Sequence, residues 1–138
     1  MSKYDQFATV MKNEALLIES LQSLGHKVEV YKEGTTIRGA FGDLLPEPVH
    51  VVIRGWTLKG DRVSDIGFSR LPDGSYRAHL NDIDQGRGYG TRWLGRVQQA
   101  YKERHTILMA RQRGYVFRGR EVIQTEKGEQ VKLLFGVR

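Results

Sequence analysis

The 138-residue chain contains no cysteine. That absence excludes a disulfide framework, a thiolate zinc site and a cysteine nucleophile, and it fits a reducing compartment. No apolar run approaches the roughly 18 residues of a membrane span. The opening "MSKYDQFATV" carries charge but lacks the apolar core and small-residue cleavage site of a secretory leader. The expectation from these absences is a soluble, cytoplasmic protein. Standard nucleotide-binding motifs are missing too. The glycines at 86, 88 and 90 are spaced G-x-G-x-G, which matches neither the dinucleotide fingerprint nor a P-loop with its terminal Lys-Ser/Thr. No serine sits in a G-x-S-x-G elbow. Acidic residues are nearly absent from one stretch: between Gly86 and Arg120, Glu103 is the only carboxylate.

What fills that stretch is arginine. Arg87, Arg92, Arg96, Arg104, Arg111, Arg113, Arg118 and Arg120 stand there with Lys102, so 35 residues carry a net +8 in a chain whose formal total is +6. A run of this kind is often a solvated helix face. The choice of arginine over lysine points further, because the planar guanidinium grips phosphate bidentately and stacks on rings. Aromatics are interleaved: Tyr89 lies in the glycine loop, and Tyr115 and Phe117 precede Arg118 and Arg120. Rings of this sort can stack exposed bases while guanidinium groups hold the backbone. Trp93, Tyr101 and Phe117 are expected to pack in the core, and Tyr89 to be the exposed ring.

One domain is expected over residues 1–138, since the chain is too short for two comfortable ones. "QFATVM" alternates as a first strand. "KNEALLIESLQSLGH" reads as a helix capped by Asn13, with Glu14 at its positive end, Leu17, Leu21 and Leu24 on one stripe and Gly25 as the stop. "KVEVYKEG", "TTIRGAFG" and "VHVVIRGW" read as strands. "SDIGFSRLPDGSYRAHL" predicts a hairpin, because Pro72 presets φ, Asp73 bonds its own backbone and Gly74 accepts positive φ. A long helix follows from about Arg92 to Gly114, with Thr91 as its cap and Leu94, Val97, Tyr101 and Leu108 on the apolar stripe. Two strands across "EKGE" close the chain. The fold class is α+β: a mostly antiparallel sheet with two helices packed on one face.

The order "QFATVMKNEALLIESLQSLGHKVEV", "IRGAFG", "SDIGF…DGSY", a helix ending in "RQRGY" and a closing hairpin resembles a family of small conserved proteins. The family is typified by the plastid hypothetical reading frame thirty-five. The resemblance spans nearly the whole chain, and its most specific pieces are "DIGF" at 65–68 and "DGSY" at 73–76. It implies a domain of unknown function shared by cyanobacteria, plastids and viruses. Its genes often lie beside those of AAA-type ATPases and ferredoxins, which implies an accessory role. "GRGYGTRW" is richer in arginine than the family leads one to expect.

Three functional readings follow. The first is a non-enzymatic module without cofactor or metal that contacts phosphate-rich partners, RNA or single-stranded nucleic acid foremost. Arg87, Tyr89, Arg92, Arg96, Arg111, Arg113, Arg118 and Arg120 would be its contacts. Cations at the start of the long helix oppose its macrodipole, and a docked anion would reverse that penalty. The second is an adaptor docking a basic face on an acidic protein such as an AAA-type ATPase. The third is a small hydrolase using His79, Asp82 and Asp84 of "HLNDID", whose oxygen-rich cluster can also be read as a cation site or as ordinary turn chemistry. Asp65 is expected to bond a neighbouring backbone N–H, and His105 to be partly buried.

Overall fold

The computed structural model describes residues 3–60 and 63–137. The chain divides into two compact units, Met1–Tyr101 and Lys102–Arg138. The first contains a five-stranded antiparallel sheet in the order β1-β5-β4-β3-β2. Its strands are β1 (Tyr4–Ala8), β2 (Glu29–Thr35), β3 (Val49–Ile53), β4 (Ile66–Arg70) and β5 (Tyr76–Asn81). Helix α1 (Glu14–Ser23) lies between β1 and β2 in sequence, and the single turn α2 (Asp82–Gln85) follows β5. Helix α3 (Thr91–Gln112) begins in the first unit and ends in the second. The fold is α+β, with α1 and α3 packed against each other and against the sheet.

Local chemistry places the early elements as expected. Asn13 caps α1 by accepting from the Leu16 amide at 3.1 Å. Gly25 follows the helix at φ +91°, a conformation that favours glycine. Leu16, Leu17 and Leu21 are buried, whereas Leu24 at the helix end is exposed. Gly74 turns the β4–β5 hairpin at φ +89°, with Asp73 accepting from the Ser75 amide at 2.9 Å. The start of α1 is tied to α3 by the Tyr101 hydroxyl, which accepts from the amides of Lys12 and Asn13 at 3.1 and 3.0 Å.

Both faces of β4 are buried. Phe68 packs toward the helices, its ring centroid 6.4 Å from that of Trp93. Gly67, next in the strand and so on the opposite face, is pressed against Ile37 and Val49: a Cβ there would lie 2.9 Å from their side chains. Ile37 and Leu45 belong to a second cluster with Val49 and Val52, on which Tyr4 and Tyr31 pack. Helices thus cover one face of the sheet and the 36–48 loop covers the other.

Three predicted boundaries are corrected by this arrangement. "TTIRGAFG" is not a strand; it holds one bridge, Arg38 to Leu44, around a turn in which Gly42 takes φ +86°. Ile37 and Leu45 are held down by burial rather than by a ladder. The first strand ends at Ala8 rather than reaching Met11. Beyond it the Thr9 hydroxyl donates to the Tyr76 carbonyl, replacing a backbone partner, and Val10 turns out to solvent. The closing hairpin is longer than predicted: β6 (Tyr115–Thr125) pairs with β7 (Gly128–Val137) as a separate two-stranded sheet, interrupted by a bulge between Phe117 and Gly119. The glycine and arginines of 115–120 are accommodated at that bulge and on exposed strand positions.

Candidate functional site

The glycine loop is built around Asp84. Its main-chain carbonyl accepts from the amides of Arg87 and Tyr89 at 2.9 and 3.1 Å. Its carboxylate accepts from the Ser64 amide at 2.8 Å. Gly88 takes φ +102°, and a Cβ on Gly90 would sit 2.9 Å from the Gln85 carbonyl. Two of the three glycines are therefore required by shape. The loop delivers the chain into α3, whose first hydrogen bond runs from the Leu94 amide to the Gly90 carbonyl at 2.9 Å. Gly90 occupies the cap position, and Thr91, predicted as the cap, is the first helical residue.

Tyr89 is half-buried, not a free-standing ring. Its hydroxyl accepts from the Lys59 amide at 3.0 Å, and its ring stands edge-on to Trp93 at 6.2 Å. Tyr89 thus acts as a strut joining the glycine loop to the 57–60 segment. Around it lies a cavity of about 500 Å³ whose walls include His26, Lys59, Arg87, Tyr89, Trp93 and Arg96. No aspartate or glutamate lines it among the described residues. Two of the predicted arginines, nine positions apart, share this wall. Arg87 lies 3.8 Å from the Asp84 carboxylate, which helps to orient it. Lys59 and His26 were not anticipated, because nothing in their local sequence marks them; only the closure of the 57–60 turn and the end of α1 onto the loop brings them in.

His26 accepts from the Trp93 indole N–H through Nε2 at 3.0 Å. Its pKa lies below the usual value, first because burial penalises the cation and second because Arg96 repels it. His79 is depressed as well, by burial and, more weakly, by Arg77, with Glu47 opposing. Both shifts have the same sign. The unfolded chain takes up these protons more readily, so the stability they confer is complete above about pH 6.5 and is lost as pH falls through the lower folded-state values. Thermal melts between about pH 7.5 and pH 5 should show a falling Tm. His79→Asn should flatten that slope even if it lowers Tm throughout.

The other predicted nucleic-acid-binding residues lie outside this wall. Arg92 is exposed on the first turn of α3. Arg111, Arg113, Arg118 and Arg120 belong to the second unit, where Arg111 stands in the last turn of α3, Arg113 in the turn after it, and Arg118 and Arg120 on β6. Arg120 is paired with Glu103, and this hydrogen bond raises its already high pKa. Arg113 borders a separate cavity of about 400 Å³ with His105, Met109, Tyr115 and Phe135. Phe117, expected in the core, is exposed and stacks edge-on against Phe135 at 5.9 Å. His105, expected to be partly buried, is exposed.

Side chains of the "HLNDID" cluster are hydrogen-bonded within the fold. His79 is fully buried with Nε2 2.7 Å from the Ser69 hydroxyl, and Asp82 accepts from the Lys3 amide at 3.0 Å. No group of three metal-ligating side chains is assembled among the described residues. Asp65, as expected, bonds backbone: Oδ1 accepts from Gly55 at 2.8 Å and Oδ2 from Arg38 at 3.1 Å. It also binds the Arg54 guanidinium at 3.1 Å, a partner its sequence context did not reveal.

Among the described residues no helix is long and apolar enough to cross a membrane. Comparison of the chain with protein-family models, with curated proteins and with solved structures finds no match in any of the three.

Proposed function

We propose that the protein is a binding module for the phosphates of RNA or single-stranded nucleic acid, with the cavity of Arg87, Arg96, Lys59 and His26 as its principal contact. The observation that carries this reading is the gathering of those four nitrogen-bearing side chains around one opening with no carboxylate in its described lining. Guanidinium groups suit phosphate through paired N–H donors, and Lys59 adds a point charge. Arg92 lies nearby in sequence on the first turn of α3, where an anion offsets the unfavourable meeting of cation and helix dipole. Arg111, Arg113 and Arg118 of the second unit add to the attraction a polyanion feels at a distance.

Binding of a labelled single-stranded RNA, followed by anisotropy between about 50 and 200 mM salt, tests the reading. The double variant Arg87→Ala/Arg96→Ala should bind at least about tenfold more weakly at the low-salt end, since each charged hydrogen bond contributes on the order of 1.5 kcal/mol. The slope of log affinity against log salt should fall by about 1.4, that is, about 0.7 for each phosphate no longer neutralised. Unchanged affinity and slope would remove the cavity from the interface.

A second reading, a protein adaptor, draws on the second unit, where Tyr115, Phe117, Val122, Ile123 and Val137 of the β6–β7 hairpin are exposed. Co-purification separates the two: bound nucleic acid raises absorbance at 260 nm, whereas a protein partner appears as a second band.

A further inference from the structure

Trp56 is one of two tryptophans in the chain, and it stands 78% exposed while the other, Trp93, is buried. Its seat is rigid. Residues Gly55–Thr57 form a 3-10 turn in which the Thr57 amide and hydroxyl donate to the Arg54 carbonyl at 3.0 and 2.7 Å. Gly55 is held by Asp65, and a Cβ added there would lie 1.9 Å from the Val63 carbonyl, so the backbone beneath the ring is pinned by close contact. The Arg54 guanidinium lies 6.0 Å from the indole centroid, within cation–π range. The ring forms part of the wall of a cavity of about 630 Å³ that Arg38, Arg54 and Asp65 also line. A flexible exposed tryptophan needs no explanation. One that stands on a pinned backbone, with a guanidinium beside it, has the attributes of a stacking platform.

The platform adjoins the basic cavity. Leu58 lines both openings, and Thr57 and Lys59, one and three residues beyond Trp56, line the basic one. We infer that Trp56 stacks an unpaired nucleobase whose neighbouring phosphates lie in the Lys59–Arg87–Arg96 cavity. This rests on the phosphate-binding reading above and adds to it a preference: a duplex hides its base faces, so single strands are selected. The preference for a base attached to phosphate over an uncharged aromatic ligand comes from Lys59, Arg87 and Arg96 of the adjoining cavity, because Arg54 beside the ring is already paired with Asp65 and Glu29.

The test compares two polyanions, a short oligodeoxythymidylate and inorganic polyphosphate, on the full chain and its Trp56→Ala and Trp56→Phe variants. The oligonucleotide should quench the tryptophan emission of the wild-type protein. Trp56→Ala should bind it roughly five- to a hundredfold more weakly, the range expected when one base stack is removed, and should bind polyphosphate as the wild type does. Trp56→Phe, which keeps a stacking face, should recover most of the affinity. If Trp56→Ala binds the oligonucleotide normally, or binds both polymers equally poorly, the stacking assignment is wrong while phosphate binding stands. If the wild-type protein binds neither polymer, both are overturned.

Discussion

Replacing Asp65 with alanine is expected to lower the free energy of unfolding by about 3–5 kcal/mol, the cost of stranding a charge in a site built for a pair. The Arg54 side chain is only 15% exposed and reaches Asp65 at 3.1 Å and Glu29 at 3.0 Å. Burial by itself would lower the guanidinium pKa; hydrogen bonds from Arg54 to Tyr31, Glu29 and Asp65 outweigh it and raise the pKa further. Glu29, whose own pKa is lowered chiefly by the Tyr31 hydroxyl, stays behind in the variant and places the loss toward the lower end of that range. Asp65 does more than pair. It satisfies the amides of Gly55 and Arg38, one in a turn and one in a loop, where no strand ladder supplies an acceptor. Asp65→Asn keeps an acceptor and removes the charge, so it should be milder than alanine. Urea denaturation of the three proteins measures both differences. A change near zero for alanine would show that the carboxylate is not the joint between the 36–48 loop, β4 and the Trp56 turn.

The second large effect is expected for Trp93→Ala, at about 3–5 kcal/mol, as for other fully buried aromatic rings cut to a methyl group. Trp93 meets Phe68 of β4, Tyr89 of the glycine loop and His26 beyond α1, with centroids 6.4, 6.2 and 5.6 Å away. It is therefore part of the core on one side and the wall of the basic cavity on the other. Its loss should weaken the fold and the polyanion site together. Trp93→Phe separates the two roles. It retains most of the buried ring and removes the indole donor to His26, a loss of about 0.5–1.5 kcal/mol. The freed Nε2 can then accept a proton, so the His26 pKa should rise. An NMR titration of the His26 ring reads that shift directly, and denaturation reads the stability change. Should alanine and phenylalanine cost the same, the indole N–H rather than the packing would be carrying the effect.

These two residues mark where sequence reasoning succeeds and where it stops. Trp93 was legible as core because its position on an amphipathic helix is a local property, and the same holds for Asn13 as cap and for Pro72-Asp73-Gly74 as turn. Asp65 was legible only by half. Its bonds to backbone follow from its residue type, but its partner Arg54 is set by strand pairing, which brings β3 beside β4. The 35–42 segment was misread because alternation of apolar residues is shared by strands and by loops pinned at intervals. Ile37 is such a pin. Phe117 was misread for a related reason, since its ring meets Phe135 across a two-stranded ladder and is left 39% exposed.

Sequence alone determined the α+β class, the Asn13 cap of α1, the glycines that follow α1 and α3, and the concentration of arginine after residue 86. Each of these rests on interactions within a few residues or on composition, neither of which requires knowing the fold. Tertiary structure decided that Arg87 and Arg96 share a cavity with His26 and Lys59, that Tyr89 is a strut, and that Trp56 is the ring left facing solvent. Those outcomes depend on which segments the sheet and the α1–α3 pairing bring together. Side chains far apart in the chain meet there because the backbone between them is committed to burying other surfaces.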